Sequence, residues 1–191
     1  MTESTAWREI MIQWSIKGYH IYRRRPCAEI PLLVVPEPGN TYDPNAMKVM
    51  MPAVVEPELL KKVTMDGERR RKPQRVQDIL GKQIGRVPAN LCKFFKILLS
   101  DGFVEEVKCL YNGKAAPTTQ PPTQQAYKRT KYHAGKDRAG GGVELTCSYF
   151  VRVKEKDFAE VKQASIKNLP EDDIRKVTFA KTVDSLILYT V

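Results

Sequence analysis

The chain has 191 residues and a formal net charge of +10, from 32 Lys and Arg against 22 Asp and Glu, with 42% hydrophobic residues. That length suits one domain with a modest extension, and the charge favours polyanionic partners, either nucleic acid or an anionic membrane surface. No apolar run approaches the roughly 20 residues that span a bilayer, and MTESTAWREI lacks the basic-then-apolar pattern of a secretory leader. An intracellular protein with reduced thiols is expected, nuclear rather than cytoplasmic. Cys27, Cys92, Cys109 and Cys147 are far apart, with no CxxC pair and only two histidines in the chain, so buried free thiols are expected and a zinc site is not.

In chain order, residues 7–22 read as strand: MIQWSI alternates, and Gly18 in IKGYHIY marks a bulge or a close approach. Residues 30–35 (IPLLVV) and 46–51 (AMKVMM) are two short apolar strands. Residues 52–80 break the pattern as a charged insertion, with a helical turn at 57–63. GKQIGRVP (81–88) restores a brief strand. The stripe Leu91, Phe94, Phe95, Leu98 and Leu99 in ANLCKFFKILL then falls at i, i+3, i+4, i+7 and i+8, one face of a helix. Pro88 stands where helices begin and Gly102 just past where this one should end. Residues 103–111 alternate as strand.

Residues 114–141, rich in Pro, Thr, Gln and Gly, read as a flexible excursion, and 142–153 (GVELTCSYFVRV) as the last strand. The remainder, 154–191, holds a helix near 157–169, and its end, SLILYTV, reads as strand or helix. Short strands around one helix, without βαβ alternation, predict a mainly β chain folded as a small β-barrel with one packed amphipathic helix and a C-terminal helical appendage. The domain is expected over 1–153, with basic insertions at about 52–80 and 114–141.

The charge is concentrated. Lys61, Lys62, Arg69, Arg70, Arg71, Lys72, Arg75, Lys82 and Arg86 face only Asp66, Glu68 and Asp78 over the same stretch. No Walker loop, GxSxG or HExxH occurs, and His20 and His133 are far apart, so catalysis is not expected; a Cys–His dyad at His20 is the one arrangement left open. A membrane-surface role is disfavoured, because the amphipathic helix needs its apolar face for the core. The most informative stretch is EPGNTYDPNAMKVM (37–50). Gly39, Asn40, Asp43, Pro44 and Asn45 are turn formers for different backbone reasons, and they surround a tyrosine and a carboxylate. That pattern fits a tight capped turn or a loop that holds a ligand.

KGYHIY, EPGNTYDPNAMKV, GKQIGRVP before a helix, and a closing GGVELTC-x-F strand occur in an order that resembles the HIRAN domain, most closely its standalone metazoan form. The resemblance covers roughly 9–153 and implies an OB-like barrel gripping the 3′ end of single-stranded DNA. On it, Tyr42 takes the place of a base-stacking tyrosine, and Asp43 that of the acid accepting from the 3′-hydroxyl. Asn40 shapes the pocket, Tyr22 matches the second of two family tyrosines, and Arg86 stands where the family has a histidine near phosphates. His20 and Ile21 replace an arginine and a stacking tyrosine, so His20 is a weaker phosphate partner. Lys82, Arg70 and Arg71 supply salt-dependent attraction beside the pocket. The implied function is non-catalytic binding of single-stranded DNA ends in DNA repair or processing, without cofactor or metal. The alternative is a protein-interaction module that keeps the barrel and has lost end-specific binding.

Overall fold

The computed structural model describes residues 6–67, 72–117 and 143–179. Strand β1 (Trp7–Ile16) pairs along its whole length with β8 (Val143–Lys154), and β8 pairs with β7 (Val107–Pro117). Beyond β7 lie β2 (Leu32–Pro36), β3 (Met47–Met50) and β6 (Gln83–Arg86), all antiparallel. With β9 (Val177–Phe179) on the far side of β1, the order is β6-β3-β2-β7-β8-β1-β9. Along the chain, four of the six barrel strands precede the main helix and two follow it, as expected.

The sheet curls so that its two sides meet at one seam. Lys17, just past β1, donates its N–H to the Arg86 carbonyl at 2.9 Å and accepts the Arg86 N–H at 2.9 Å. The barrel is therefore fastened there by one bridge and is not closed along a full ladder. Gly85 makes the approach feasible: a Cβ built on it would lie 2.4 Å from both the Lys17 carbonyl oxygen and Ile16 Cγ2.

Helix α3 (Ala89–Ser100) plugs the barrel. Leu91, Phe94, Phe95 and Leu98 are fully buried, and Leu99 packs at their edge. Gly102 turns left-handed at φ 74°, which lets Phe103 N–H reach the Leu98 carbonyl at 3.1 Å and end the helix. Phe95 meets Tyr149 with ring centroids 5.5 Å apart, and the Tyr149 hydroxyl donates to the Ser15 carbonyl at 3.0 Å. Burial pushes the Tyr149 hydroxyl and the Cys109 thiol well up, so both stay protonated. All four cysteines are buried and free, in keeping with the expectation.

The first strand is shorter than the alternation predicts. Gly18, at φ 89°, leaves the extended region and caps a single helical turn, α1 (Tyr19–Tyr22). His20 and Tyr22 are thus on a turn and not in a sheet. Residues 52–80 are also more than an insertion of loop. The helical turn expected over 57–63 is a shorter 3₁₀ turn (Pro57–Leu59), and it leads into a two-stranded ladder, β4 (Val63–Met65) with β5 (Gln74–Arg75). Helix α2 (Val76–Ile79) then buries Val76 and Ile79. An apolar pair three apart anchors what its charge density disguised.

Strand β7 begins at Val107, because 103–106 complete the exit from α3, and it runs on through 114–117, the start of the expected excursion. The basic residues of 118–142 lie outside the described residues. Past Lys154 the expected helix is α4 (Phe158–Asn168), set against α3 with Val161 fully buried. Helix α5 (Glu171–Ile174) follows, and the chain then returns to the sheet as β9. The segment SLILYTV lies outside the described residues.

Gly85→Ala is expected to force Lys17 away from Arg86 and lower stability by about 1–3 kcal/mol, a fall in Tm of roughly 3–10 °C. Thermal melts followed by circular dichroism measure it; an unchanged melt shows that the seam has slack.

Candidate nucleic-acid interface

The loop between β2 and β3 closes where the Glu37 N–H meets the Ala46 carbonyl at 2.9 Å. Within it, two polar side chains hold the backbone. The Asn40 side-chain oxygen accepts the N–H groups of Tyr42 and Asp43, each at 3.0 Å, and Asp43 Oδ1 accepts the Asn45 N–H at 2.8 Å. These are Asx turns, the local bonding for which Asn and Asp are selected in loops. From α3, Lys96 Nζ donates to the Pro44 carbonyl at 2.7 Å and ties the loop to the core helix. The backbone is fixed from inside and below, while the Tyr42 side chain is left 98% exposed. A capped turn and a presented aromatic thus coexist in the same ten residues.

Glu37 joins the loop to the seam. Its Oε2 accepts from Asn40 Nδ2 at 3.1 Å, and its Oε1 faces Arg86 at 3.3 Å. Arg86 pairs with Lys48 across β3 and β6, which sets a second cation near the same carboxylate. The Glu37 carboxyl is held below its ordinary value, first by the Asn40 amide and, against some burial, by the charges of Arg86 and Lys48. Arg86 occupies the centre: its backbone makes the bridge to Lys17, and its guanidinium reaches toward the loop. Lys17 is already matched by Glu144, which also accepts from Ser15 Oγ at 2.7 Å.

The structure links Asn40 to Arg86 through Glu37, with Tyr42 and Asp43 bonded to Asn40 on the same loop. Tyr22 sits on α1 across the seam, half-buried with its ring over Gly18, where a Cβ would lie 3.4 Å from it. His20 is on the same turn, and its side chain lies outside the described residues. Next to it, Ile21 is 60% exposed. Lys82 is at the opposite end of β6 from Arg86 and donates to the Asp78 carbonyl at 2.7 Å. Arg70 and Arg71 lie outside the described residues.

Two participants were missed in the sequence. Glu37 reads there as a charged residue between two prolines, and Lys48 as the polar step of an alternating strand. Only the register of β3 against β6 puts them beside Arg86.

Asn40→Ala should cost about 1–2 kcal/mol, since two N–H groups lose their acceptor, while Tyr42→Ala should stay within about 0.5 kcal/mol. Denaturant titration of the two variants decides this, and equal losses would mean that the ring supports the fold. The same Asn40→Ala change should raise the Glu37 pKa toward 4.5, its ordinary value. Glu37 supports the folded state fully above that pH and loses its contribution as pH falls through the depressed folded value. A carboxyl carbon titration by NMR reads the shift.

No family model and no curated protein matches the sequence. Among solved structures, the chain is similar to the crystal structure of the HIRAN domain of human HLTF, at 12% identity and a TM-score of 0.48, over 87% of this chain and 95% of that one. That is the family whose motifs the sequence resembles.

Proposed function

We propose that the protein is a non-catalytic nucleic-acid-binding domain that takes the ends of single strands on the loop 37–46 and on Arg86. The observation that carries this reading is Tyr42: a tyrosine 98% exposed on a backbone pinned by Asn40 and Asp43. Folding gains nothing from presenting a bare ring on so firmly held a backbone. A ring presented this way suits stacking on a base, which contributes about 1–3 kcal/mol and tolerates any sequence. Arg86 and Lys48, at the base of the same loop by Glu37, suit a phosphate. Asp43 uses one carboxylate oxygen in its own turn. Its charge favours a terminal hydroxyl that donates to it and opposes a terminal phosphate. The preferred ligand on this reading is the 3′ end of single-stranded DNA, in a nuclear repair or processing setting.

One observation favours a second reading. Ile21 stands exposed on α1 where the resembled family has a stacking tyrosine, and an exposed aliphatic side chain suits a protein partner better than a base. Salt separates the two, because phosphate contacts weaken steeply as salt rises and an apolar interface does not.

Fluorescence anisotropy at fixed salt, with one labelled strand bearing a 3′-hydroxyl or a 3′-phosphate and with its duplex, tests the proposal. The free 3′-hydroxyl strand should bind tightest, and Tyr42→Ala should weaken it by about 5- to 150-fold. Asp43→Asn keeps an oxygen for the Asn45 N–H and removes the charge, so it should erase the preference for hydroxyl over phosphate. Equal weak binding of all three ligands, unchanged in Tyr42→Ala, sinks the reading and leaves the protein-partner alternative.

A further inference from the structure

Between β3 and β6 the chain builds a lobe with α1. The Tyr19 hydroxyl donates to Met65 Sδ at 3.2 Å, Arg25 N–H to Gln74 Oε1 at 2.9 Å, and Gln74 Nε2 to the Arg23 carbonyl at 3.3 Å. The Val76 N–H closes back on the Lys62 carbonyl at 3.0 Å. The turn 19–22 and the β4–β5 ladder are thus one unit. Its chain reversal is at Arg23, a non-glycine residue at φ 50° whose N–H bonds the Tyr19 carbonyl at 2.8 Å. Holding a side-chain-bearing residue in the left-handed region costs about 1 kcal/mol or more. Here the strain places Arg24 with its Nη1 on the Gln83 carbonyl at 2.7 Å.

Gln83 and Arg86 are the first and last residues of β6. Three residues of strand span at most about 10 Å, so Arg24 and Arg86 mark the two ends of one short strand, bulged at Ile84 against β3. Beyond Arg24 on the lobe, Lys72 and Arg75 are exposed and have no acidic side-chain partner among the described residues. The nearby Asp78 carboxylate is turned onto the Arg75 N–H at 2.8 Å and caps α2. Lys62, by contrast, is neutralised by Glu29.

Resting on the reading of the loop as an end-binding site, we propose that the lobe is the second half of the same interface. The backbone of the bound single strand runs from Tyr42 past Arg86, along β6 to Arg24, and onto Arg75 and Lys72. The partner is the sugar-phosphate backbone upstream of the end, held by charge and without base readout. The loop alone accommodates the terminal nucleotides; the lobe adds affinity only when the strand is long enough to reach it.

The test uses oligothymidylates with a free 3′-hydroxyl, one of about 4 nucleotides and one of about 16, the two ends of the range that OB folds occupy. The triple variant Arg24→Gln, Lys72→Gln, Arg75→Gln is compared with wild type, and a double variant that spares Arg24 guards against loss of its bond to Gln83. Melting temperature checks each fold.

The triple variant should lose about tenfold or more on the long strand and leave the short one within about twofold. The plot of log affinity against log salt should be shallower by about 2, from three lost phosphate contacts at 0.7 each. The double variant should lose a smaller part of both quantities. An unchanged slope on the long strand overturns the proposal, as does an equal loss on both lengths or a wild type that binds neither. If Tyr42→Ala changes neither length while the lobe variants weaken the long strand, the end-binding reading fails and the lobe surface remains.

Discussion

The bridge between Lys17 and Arg86 is the constraint on which the proposed interface depends. One pair of backbone hydrogen bonds joins the two sides of a curled sheet, and it forms only because Gly85 presents no side chain to Ile16 and Lys17. A β-strand with any larger residue there would stand off from β1, as tight packing elsewhere in the barrel leaves little room to adjust. The guanidinium of Arg86 projects from this same residue. The position of the central cation is therefore set by barrel closure, and the loop and α1 are brought to its two flanks by the strands that close.

Stiffness and exposure are separated in the loop 37–46. Its polar side chains are spent inward, on backbone N–H groups and on Glu37, and its aromatic ring is spent outward on nothing within the described residues. Such a division favours binding, because a backbone already fixed in place loses little further freedom when a base covers the ring it carries. Glu37 has a different role. It faces Arg86 at a distance and exposure that make the pair weak, so a phosphate can replace it at small cost.

Much of this was legible in the residues. The stripe from Leu91 to Leu99 gave α3 because a helix face has a period that few other structures share. The five turn formers around Tyr42 located the loop, since each has a backbone reason to be there. What escaped detection depends on long-range contact. KGYHIY has the alternation of a strand, and only the positive φ of Gly18 makes it a helical turn. Val76 and Ile79 look like incidental apolar residues in a charged run until the core closes over them. Glu37 and Lys48 have no local signature, because their meeting with Arg86 is a matter of strand register.

The first strand has its longest partner near the far end of the described chain: β1 pairs over ten positions with β8, from Trp7 with Lys154 to Ile16 with Leu145. Contacts that distant in sequence form late, since a long loop must close before they return any energy. While the chain emerges from the ribosome, α3 and the β2–β3 hairpin have their local partners early, but Lys17 is not held opposite Arg86 until β8 has been made. The loop can fold before that point; the seam that centres its cation cannot. A chain cut short before residue 143 would carry the loop, and Arg86 across from Lys48, without the strand that holds β1, and with it Lys17, against the seam.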